Sequence, residues 1–276
     1  MPNVPIALTV AGSETTGGAG LQADLKTFEE YGVHGMVAIT SIVTMAPENW
    51  AHQVAPVATD VIEKQFATVL EGPKINAMKT GLLPGVEIIR LVRENLLSGK
   101  FEHIVIDPVM VCKGDVSEVN VESADALRDL LTPLAEVVTP NLFEAGVLSG
   151  LGNLKTIDDL KRAAKAIHGL GAKNVVVKGG KALDSDEAVD VFYDGRDLEV
   201  LAAPKVDNIY NQGAGCSFSA AIAAGLAKGM PVKKAVTLAK SYVRAAIANG
   251  FAFNRFTGPV YHSAYRVLEG HDPGKA

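Results

Sequence analysis

Strand-like and helix-like segments alternate along almost the whole chain of 276 residues, and this alternation limits the fold more than any other feature. Short apolar runs, such as residues 103–110 and 174–180, lie between longer segments with apolar residues at helical spacing, such as 20–32. Repeated strand–helix units favour a mostly parallel sheet with helices on both faces. The sequence therefore predicts an α/β fold of three layers, α/β/α.

The pattern changes at residues 188–203, where apolar and polar residues alternate around Asp194-Gly195. This dipeptide is a hairpin signal, although the loop around it can be longer than two residues. We therefore predict an antiparallel hairpin at one edge of the sheet. Two helices, Cys216 to Lys228 and Val232 to Asn249, follow it. The chain has no evident linker or internal repeat, so we expect one domain over residues 1–276.

Composition excludes several classes of function. The net charge of −5 gives no basic surface for nucleic acid. The apolar runs are shorter than the roughly 20 residues that a membrane span requires, and the N-terminus has no basic region typical of a signal peptide. Two cysteines do not make a disulfide framework, so we expect a reduced, cytoplasmic protein.

Glycine and polar residues gather at the ends of the predicted strands. In sheets of this kind ligands bind beyond the carboxyl ends of the strands. One glycine-containing turn would be weak evidence, but six of them indicate a shared site. These turns are residues 11–20, 79–81, 107–114, 139–144, 177–180 and 211–216.

The turn at residues 11–20, "AGSETTGGAG", holds four glycines, a serine and two threonines. It suits an anion cradle or the close approach of backbone to a flat ligand, and it also suits a merely flexible loop. It lacks the Gly-Lys-Ser/Thr ending of a phosphate-binding P-loop, and its glycines are too closely spaced for the dinucleotide fingerprint.

Carboxylate and amide oxygens follow two other strands, as Asp107, Asn141 and Glu144. Such oxygens suit Mg²⁺, directly or through its water molecules. The alternative for Glu144 is a first-turn residue favoured by the helix dipole. Lys178 follows three valines into a Gly-Gly turn, where a lysine can neutralise the charge of phosphate groups.

Cys216 stands at the expected start of an Ala-rich helix, directly after a Gly-Ala-Gly turn. A helix start lowers the pKa of a thiol and also attracts anions. Cys216 can therefore be a nucleophile, a redox thiol, a phosphate-binding general base or simply a small buried residue. None of the six histidines adjoins it, and no Cys-x-x-Cys motif is present.

In these motifs the chain resembles the ribokinase superfamily, and within it the branch of hydroxymethylpyrimidine kinases and pyridoxal kinases. The resemblance covers nearly the whole chain. It rests on "AGSETTGGAGLQADLKTF", "MKTGLL", "IDPVMVCKG", "TPNLFEA", "VKGG" and "GAGCSFSAAIAAGLAKG", in that order. It implies a ribokinase-like fold and transfer of the γ-phosphate of ATP, with Mg²⁺, to a hydroxymethyl group on a heteroaromatic ring.

The resemblance also implies a role for individual residues. Cys216, with Gly213 and Gly215, would form the catalytic anion hole, with Cys216 as base. A flap at about 109–120 would close over the substrate. The residues implied for ATP are Asn141, Lys178, Gly179, Gly213 and Ala214; those for the metal are Asp107 and Glu144; those for the substrate are Gly12, Ser13, Ala19, Met45, Met78, Val109 and Cys112.

Two positions favour pyridoxal over pyrimidine substrates. Hydroxymethylpyrimidine kinases usually have Gln where this chain has Met45, and a thioether cannot donate to an aminopyrimidine edge. Cys112 resembles the flap cysteine of a Gram-positive group of pyridoxal kinases, which can capture the aldehyde as a hemithioacetal. We therefore expect a pyridoxal/pyridoxine kinase, with hydroxymethylpyrimidine/phosphomethylpyrimidine kinase as the alternative. A homodimer is implied by the resemblance alone.

The chain departs from the family pattern at Gln212, where the family usually has His, and at Glu14, where Asp is more frequent. Gln212 can orient a group but cannot take up a proton at neutral pH. This departure motivates a hypothesis of another class, namely a binding protein that kept the fold without catalysis. A redox protein is the weakest alternative, because the cysteines lack a partner at suitable spacing.

Overall fold

The computed structural model describes residues 4–110 and 120–276. The strands are β1 (Ile6–Glu14), β2 (His34–Met45), β3 (His52–Pro56), β4 (Ile75–Thr80), β5 (Phe101–Ile106), β6 (Val137–Val138), β7 (Asn174–Gly180), β8 (Glu187–Tyr193) and β9 (Leu198–Pro204). The helices are α1 (Gly20–Glu30), α2 (Thr59–Leu70), α3 (Val86–Leu96), α4 (Val121–Ala126), α5 (Leu142–Ser149), α6 (Ile157–Gly169), α7 (Ala214–Ala227), α8 (Val232–Ala248) and α9 (Ala264–Val267). A π-helical turn (Leu127–Leu131) and a 3-10 turn (Thr132–Leu134) follow α4.

The strands form a nine-stranded sheet in the order β3-β2-β1-β4-β5-β6-β7-β8-β9. Strands β2, β1, β4, β5, β6 and β7 are parallel, whereas β8 and β9 form an antiparallel hairpin at one edge. The predicted sheet and hairpin are confirmed. The opposite edge carries a second antiparallel strand, β3, which we did not predict. Its sequence, "HQVAP", is mostly exposed and shows no clean alternation.

Alternation along the parallel strands divides the core between the two faces of the sheet. In β7, Val176 belongs to the part of the core that contains apolar residues of α1, α7 and α8, whereas Val175 and Val177 belong to the part that contains those of α2, α3, α5 and α6. Neighbouring side chains of a strand point to opposite faces, so a run of valines can serve both layers. The three-layer arrangement is confirmed.

Helix α7 begins at Ala214, two residues before the predicted start, and α8 ends at Ala248. Cys216 is therefore the third residue of α7 and still lies in its first turn. No helix among residues 4–110 and 120–276 is long and apolar enough to cross a membrane.

Candidate active site

Two adjoining cavities lie at the carboxyl ends of the parallel strands. One, of about 250 Å³, lies between the glycine loop 12–20 and the start of α7, and we call it the acceptor cavity. The other, of about 590 Å³, lies between β7, β9 and α8, and we call it the nucleotide groove. Both are lined by Asn141, Lys178, Asn211, Ala214 and Gly215. The start of α7 therefore stands where the two cavities meet.

The turn before α7 is closely packed against the glycine loop. Gly213 caps α7 in the left-handed conformation, with φ of 81°. A Cβ atom at Gly213 would lie 1.8 Å from the carbonyl oxygen of Gly18, so this position requires glycine. The first N–H groups of a helix have no partner within it, and Gly215 and Cys216 both line the acceptor cavity. This end of α7 is suited to an anion.

The Cys216 thiol does not have the low pKa that its helix position suggested. Burial raises its pKa to about 11, against the lowering influence of the Lys79 charge and of the Gly20 backbone N–H. The expectation of a lowered pKa was wrong because desolvation disfavours the thiolate more than the helix start and Lys79 favour it. At neutral pH the thiol is protonated.

The glycine loop binds a carboxylate of its own chain. The backbone N–H groups of Thr16, Gly18 and Ala19 donate to the carboxylate of Glu14, over 3.2, 3.1 and 3.3 Å. The Thr16 hydroxyl also donates to this carboxylate, and Thr16 Oγ1 lies 2.9 Å from Glu14 Oε1 and 2.7 Å from Glu14 Oε2. The anion cradle considered from the sequence is present, and Glu14 fills it.

Asp107 joins several elements beneath the two cavities. Its Oδ1 accepts hydrogen bonds from Lys178 Nζ at 3.0 Å and Thr139 Oγ1 at 3.2 Å. Its Oδ2 accepts one from Ser219 Oγ at 3.0 Å and lies 4.0 Å from Lys79 Nζ. Asp107 is 2% exposed, and the ammonium groups of the buried Lys79 and the half-buried Lys178 compensate its charge. This arrangement links β4, β5, β7 and α7.

Glu144 and Asn141 begin helix α5 as a capping box. The Asn141 N–H donates to Glu144 Oε2 at 2.8 Å, and the Glu144 N–H donates to Asn141 Oδ1 at 2.9 Å. Burial raises the pKa of Glu144 to about 7, against the lowering influence of Lys178. Glu144 is thus a helix-capping residue and a buried carboxylate at the edge of the acceptor cavity.

Comparisons with known proteins agree with this geometry. Residues 14–261 match the phosphomethylpyrimidine kinase family. The chain is a member of this family. It is 53% identical to the pyridoxine kinase of Bacillus subtilis over 95% of this chain and 97% of that protein. It is 36% identical to the hydroxymethylpyrimidine/phosphomethylpyrimidine kinase of the same organism, over 94% and 95%.

A solved structure of the family resembles the whole fold. The pyridoxal kinase from Staphylococcus aureus, in complex with AMP-PCP and pyridoxal, superposes with a TM-score of 0.90 at 48% identity. The match covers 96% of each chain. The kinase fold expected from the motifs is therefore confirmed.

Most residues expected from the family resemblance line the two cavities. The acceptor cavity contains Gly12, Ala19, Asp107, Val109, Asn141, Glu144, Lys178, Gly213, Ala214, Gly215 and Cys216. Gly179 lines the nucleotide groove. The structure does not bring Ser13, Met45 or Met78 to the wall of the acceptor cavity. Cys112 and the middle of the expected flap lie outside the described residues.

Each of these three residues has another environment. Met78 is 0% exposed and belongs to the part of the core that contains apolar residues of α2 and α3. The Ser13 hydroxyl accepts a hydrogen bond from Gln22 Nε2 at 2.8 Å. Met45, the last residue of β2, pairs with His52 of β3, and His52 itself lines the acceptor cavity.

Sequence reasoning missed Lys79 and Asp24, which form a buried ion pair below the site. Burial alone would lower the pKa of Lys79, but the nearby carboxylates of Asp24 and Asp107 outweigh burial and raise it. The signal was a charged residue near the end of the short strand "INAMKT". His52 was also missed, because its strand β3 was not predicted.

Positive charge lines the nucleotide groove on the side of α8. Lys240 Nζ donates to Asp190 Oδ2 at 2.6 Å, and Arg244 lies one turn further along α8. The apolar residues Val243 and Ile247 line the same groove. This mixture of apolar wall and cations suits a nucleotide, whose base is flat and whose phosphates are anionic.

Proposed function

We propose that the chain is an ATP-dependent kinase that phosphorylates the hydroxymethyl group of pyridoxal or pyridoxine. The observation that carries this proposal is the position of the α7 start, shared by a small cavity and a larger groove. A phosphoryl group must pass between a donor and an acceptor, and this turn is common to both spaces. The relatives named above support the same reaction.

On the donor side, the nucleotide groove would hold ATP. Lys178 lies near the end of β7, beside the Gly-Gly pair, and donates to Asp107, which holds its ammonium group at the boundary of the cavities. Catalysis of phosphoryl transfer is mostly positioning and charge stabilisation. Lys178, together with Asn141, Gly179 and Ala214, would bind the phosphates.

On the acceptor side, the N–H groups of Gly215 and Cys216 would stabilise charge on the transferring group. The proton of the substrate hydroxyl would pass to the Cys216 thiolate, formed when the thiol first loses its own proton to solvent. The thiolate is the minor form at neutral pH, because the pKa of the thiol is about 11. We propose that the hydroxyl proton moves late, when the new O–P bond has made the hydroxyl acidic. Gly12, Ala19 and Val109 would surround the ring.

The carboxylates of Asp107 and Glu144 fit Mg²⁺, which proteins usually hold through one or two carboxylates together with nucleotide phosphates. Both carboxylates lie in the wall of the acceptor cavity. Both Asp107 oxygens already accept hydrogen bonds, which favours contact through water. When bound, the ion would neutralise charge on the phosphates.

Three observations support pyridoxal over a pyrimidine as the substrate. Identity to the pyridoxine kinase is 53%, against 36% for the pyrimidine kinase. Met45 replaces a polar residue, and Cys112 suits capture of an aldehyde. Ser13, Met45 and Met78 would act from beyond the cavity wall, Met45 through its pairing with His52. We retain phosphomethylpyrimidine kinase as the second candidate, since the matched family carries that name.

We further propose a single cytoplasmic domain that forms a homodimer, with a flap at about 109–120. The exposed edge strand β3 and the exposed side chain of Ile42 on β2 support association at that edge. Sedimentation of the protein at several concentrations tests the dimer. A monomer at every concentration would contradict it.

The decisive experiment measures ADP release from Mg-ATP with pyridoxal, pyridoxine and hydroxymethylpyrimidine at equal concentrations. We expect turnover with the B6 vitamers well above that with the pyrimidine. Preference for the pyrimidine would assign the chain to the second candidate. Binding of the vitamers without turnover would indicate a binding protein instead.

A further inference from the structure

The side chain of Gln212 is buried and has a hydrogen-bond partner at each end. It is 6% exposed. Thr257 Oγ1 donates to Gln212 Oε1 at 3.1 Å, and Gln212 Nε2 donates to Thr16 Oγ1 at 3.4 Å. Thr16 belongs to the glycine loop, and Thr257 precedes a segment that pairs with the Gln212 backbone. The amide therefore connects two parts of the chain that are remote in sequence.

The directions of these hydrogen bonds are consistent. The Thr16 hydroxyl donates its proton to Glu14, so its oxygen is available to accept from Gln212 Nε2. The Gln212 backbone is fixed as well, because its N–H donates to Gly258 O and its carbonyl accepts from the Val260 N–H, both at 3.1 Å. A buried amide with both ends satisfied holds one orientation.

The glycine loop lies against two consecutive residues of the turn before α7. A Cβ atom at Gly18 would lie 3.2 Å from the Gln212 side-chain carbon Cδ, and one at Gly213 would lie 1.8 Å from Gly18 O. The loop is therefore in contact with both the Gln212 side chain and the Gly213 backbone. Ala19 of this loop lines the acceptor cavity, as does Cys216 beyond the turn.

We propose that Gln212 is a positioning residue that fixes the glycine loop, on the acceptor side, relative to the start of α7, on the phosphoryl side. This inference rests on the proposed kinase function. Glu14 and Gln212, the two departures from the family pattern, belong to one chain of hydrogen bonds through Thr16. The glutamine amide keeps its donor and acceptor groups at every pH, so its own link between the two elements does not titrate.

The test compares Gln212→Met, which keeps the side-chain length but removes both hydrogen bonds, with Gln212→His, whose neutral ring again offers a donor and an acceptor. For Gln212→Met we expect kcat/KM for pyridoxal to fall about tenfold, the effect of one hydrogen bond of ordinary strength. KM for ATP and the thermal midpoint should change little. Gln212→His should recover most of the loss near pH 8.

A double-mutant cycle with Thr257→Val tests the connection itself. Thr257→Val should reduce kcat/KM in the wild type and have no further effect in the Gln212→Met background, because the partner is already absent. Thr237→Val is the matched control, since Thr237 is an exposed residue of α8. Three results would each overturn the proposal. The first is a kcat/KM of Gln212→Met equal to that of the wild type, and the second is full additivity of the two substitutions in their effects on kcat/KM. The third is an equal loss of kcat/KM for ATP and for pyridoxal together with a lowered thermal midpoint.

Measurements on the wild type distinguish a failure of the proposed kinase function from a failure of the positioning proposal. If the wild type binds pyridoxal without transferring phosphate, the same variants are compared by the dissociation constant of pyridoxal. A tenfold weaker affinity in Gln212→Met, recovered in Gln212→His, would still support positioning of the loop. An unchanged affinity would overturn it.

Discussion

The ammonium group of Lys79 lies 2.8 Å from one carboxylate oxygen of Asp24 and 2.9 Å from the other, with both side chains fully buried. Thr9 Oγ1 donates to the same carboxylate at 2.6 Å. A buried charge without its partner destabilises the folded protein strongly, whereas removal of both charges can leave the free energy of unfolding nearly unchanged. The pair lies directly below Asp107, so its integrity affects both the fold and the site.

We predict that Lys79→Met destabilises the protein by about 3–5 kcal/mol, because it leaves Asp24 buried without compensation. Asp24→Asn in the same chain should restore part of this loss. Urea unfolding measures both changes. Lys64→Met is the control, since Lys64 makes only an exposed ion pair with Asp60 and its loss should leave stability unchanged. A double variant as unstable as Lys79→Met would contradict this account.

We predict that Cys216→Ala lowers kcat on the order of 10²–10⁴-fold, the usual contribution of a general base. KM for ATP should remain close to that of the wild type, because the first-turn N–H groups of α7 are retained. Single-turnover measurements of phosphate transfer would separate chemistry from binding. A kcat within about threefold of the wild type would show that the thiol takes no part in proton transfer.

We predict that acid destabilises the protein through His262. Burial lowers the pKa of His262 to about 4, with Lys26 acting in the same direction and Glu30 opposing it. Its Nε2 has no hydrogen-bond partner within the described residues. The unfolded state takes up this proton below its ordinary pKa of about 6.5, so stability is present above that pH and falls as the pH approaches 4.

We attribute to His262 a decrease of about 2 kcal/mol in the free energy of unfolding when the pH falls from about 7.5 to about 5. Urea unfolding at the two pH values should show that His262→Leu loses less stability than the wild type by this amount. His34→Gln, at an exposed histidine of β2, should behave like the wild type. An identical pH dependence in wild type and His262→Leu would show that the buried ring is not responsible.

We predict that Met45→Gln raises the ratio of kcat/KM for hydroxymethylpyrimidine to that for pyridoxal by less than about tenfold. Direct loss of a polar contact can change selectivity by about 10⁴-fold, but Met45 lies outside the cavity wall and acts through His52. Met36→Gln, at the opposite end of β2, is the matched control. An unchanged ratio would remove Met45 from the determinants of substrate choice.

The fold class, the antiparallel edge hairpin and the end of the sheet that carries the candidate site could all be predicted from the amino-acid sequence. These features follow from the spacing of apolar residues and from the residue types at strand ends. Both can be read from neighbouring residues in the sequence. The same pattern indicated that Asp107, Asn141, Lys178 and Cys216 lie close together, because each stands at a strand end or a helix start on one edge of the sheet.

Which side chains are desolvated, and which partners they contact, became visible in the folded structure alone. The sequence shows Cys216 at a helix start, but burial, set by distant residues, raises its pKa. In the same way, the Lys79–Asp24 pair joins residues 55 positions apart, and the contact of Gln212 with Thr16 spans 196. Burial and long-range pairing arise from packing of the whole chain, and no local pattern encodes them.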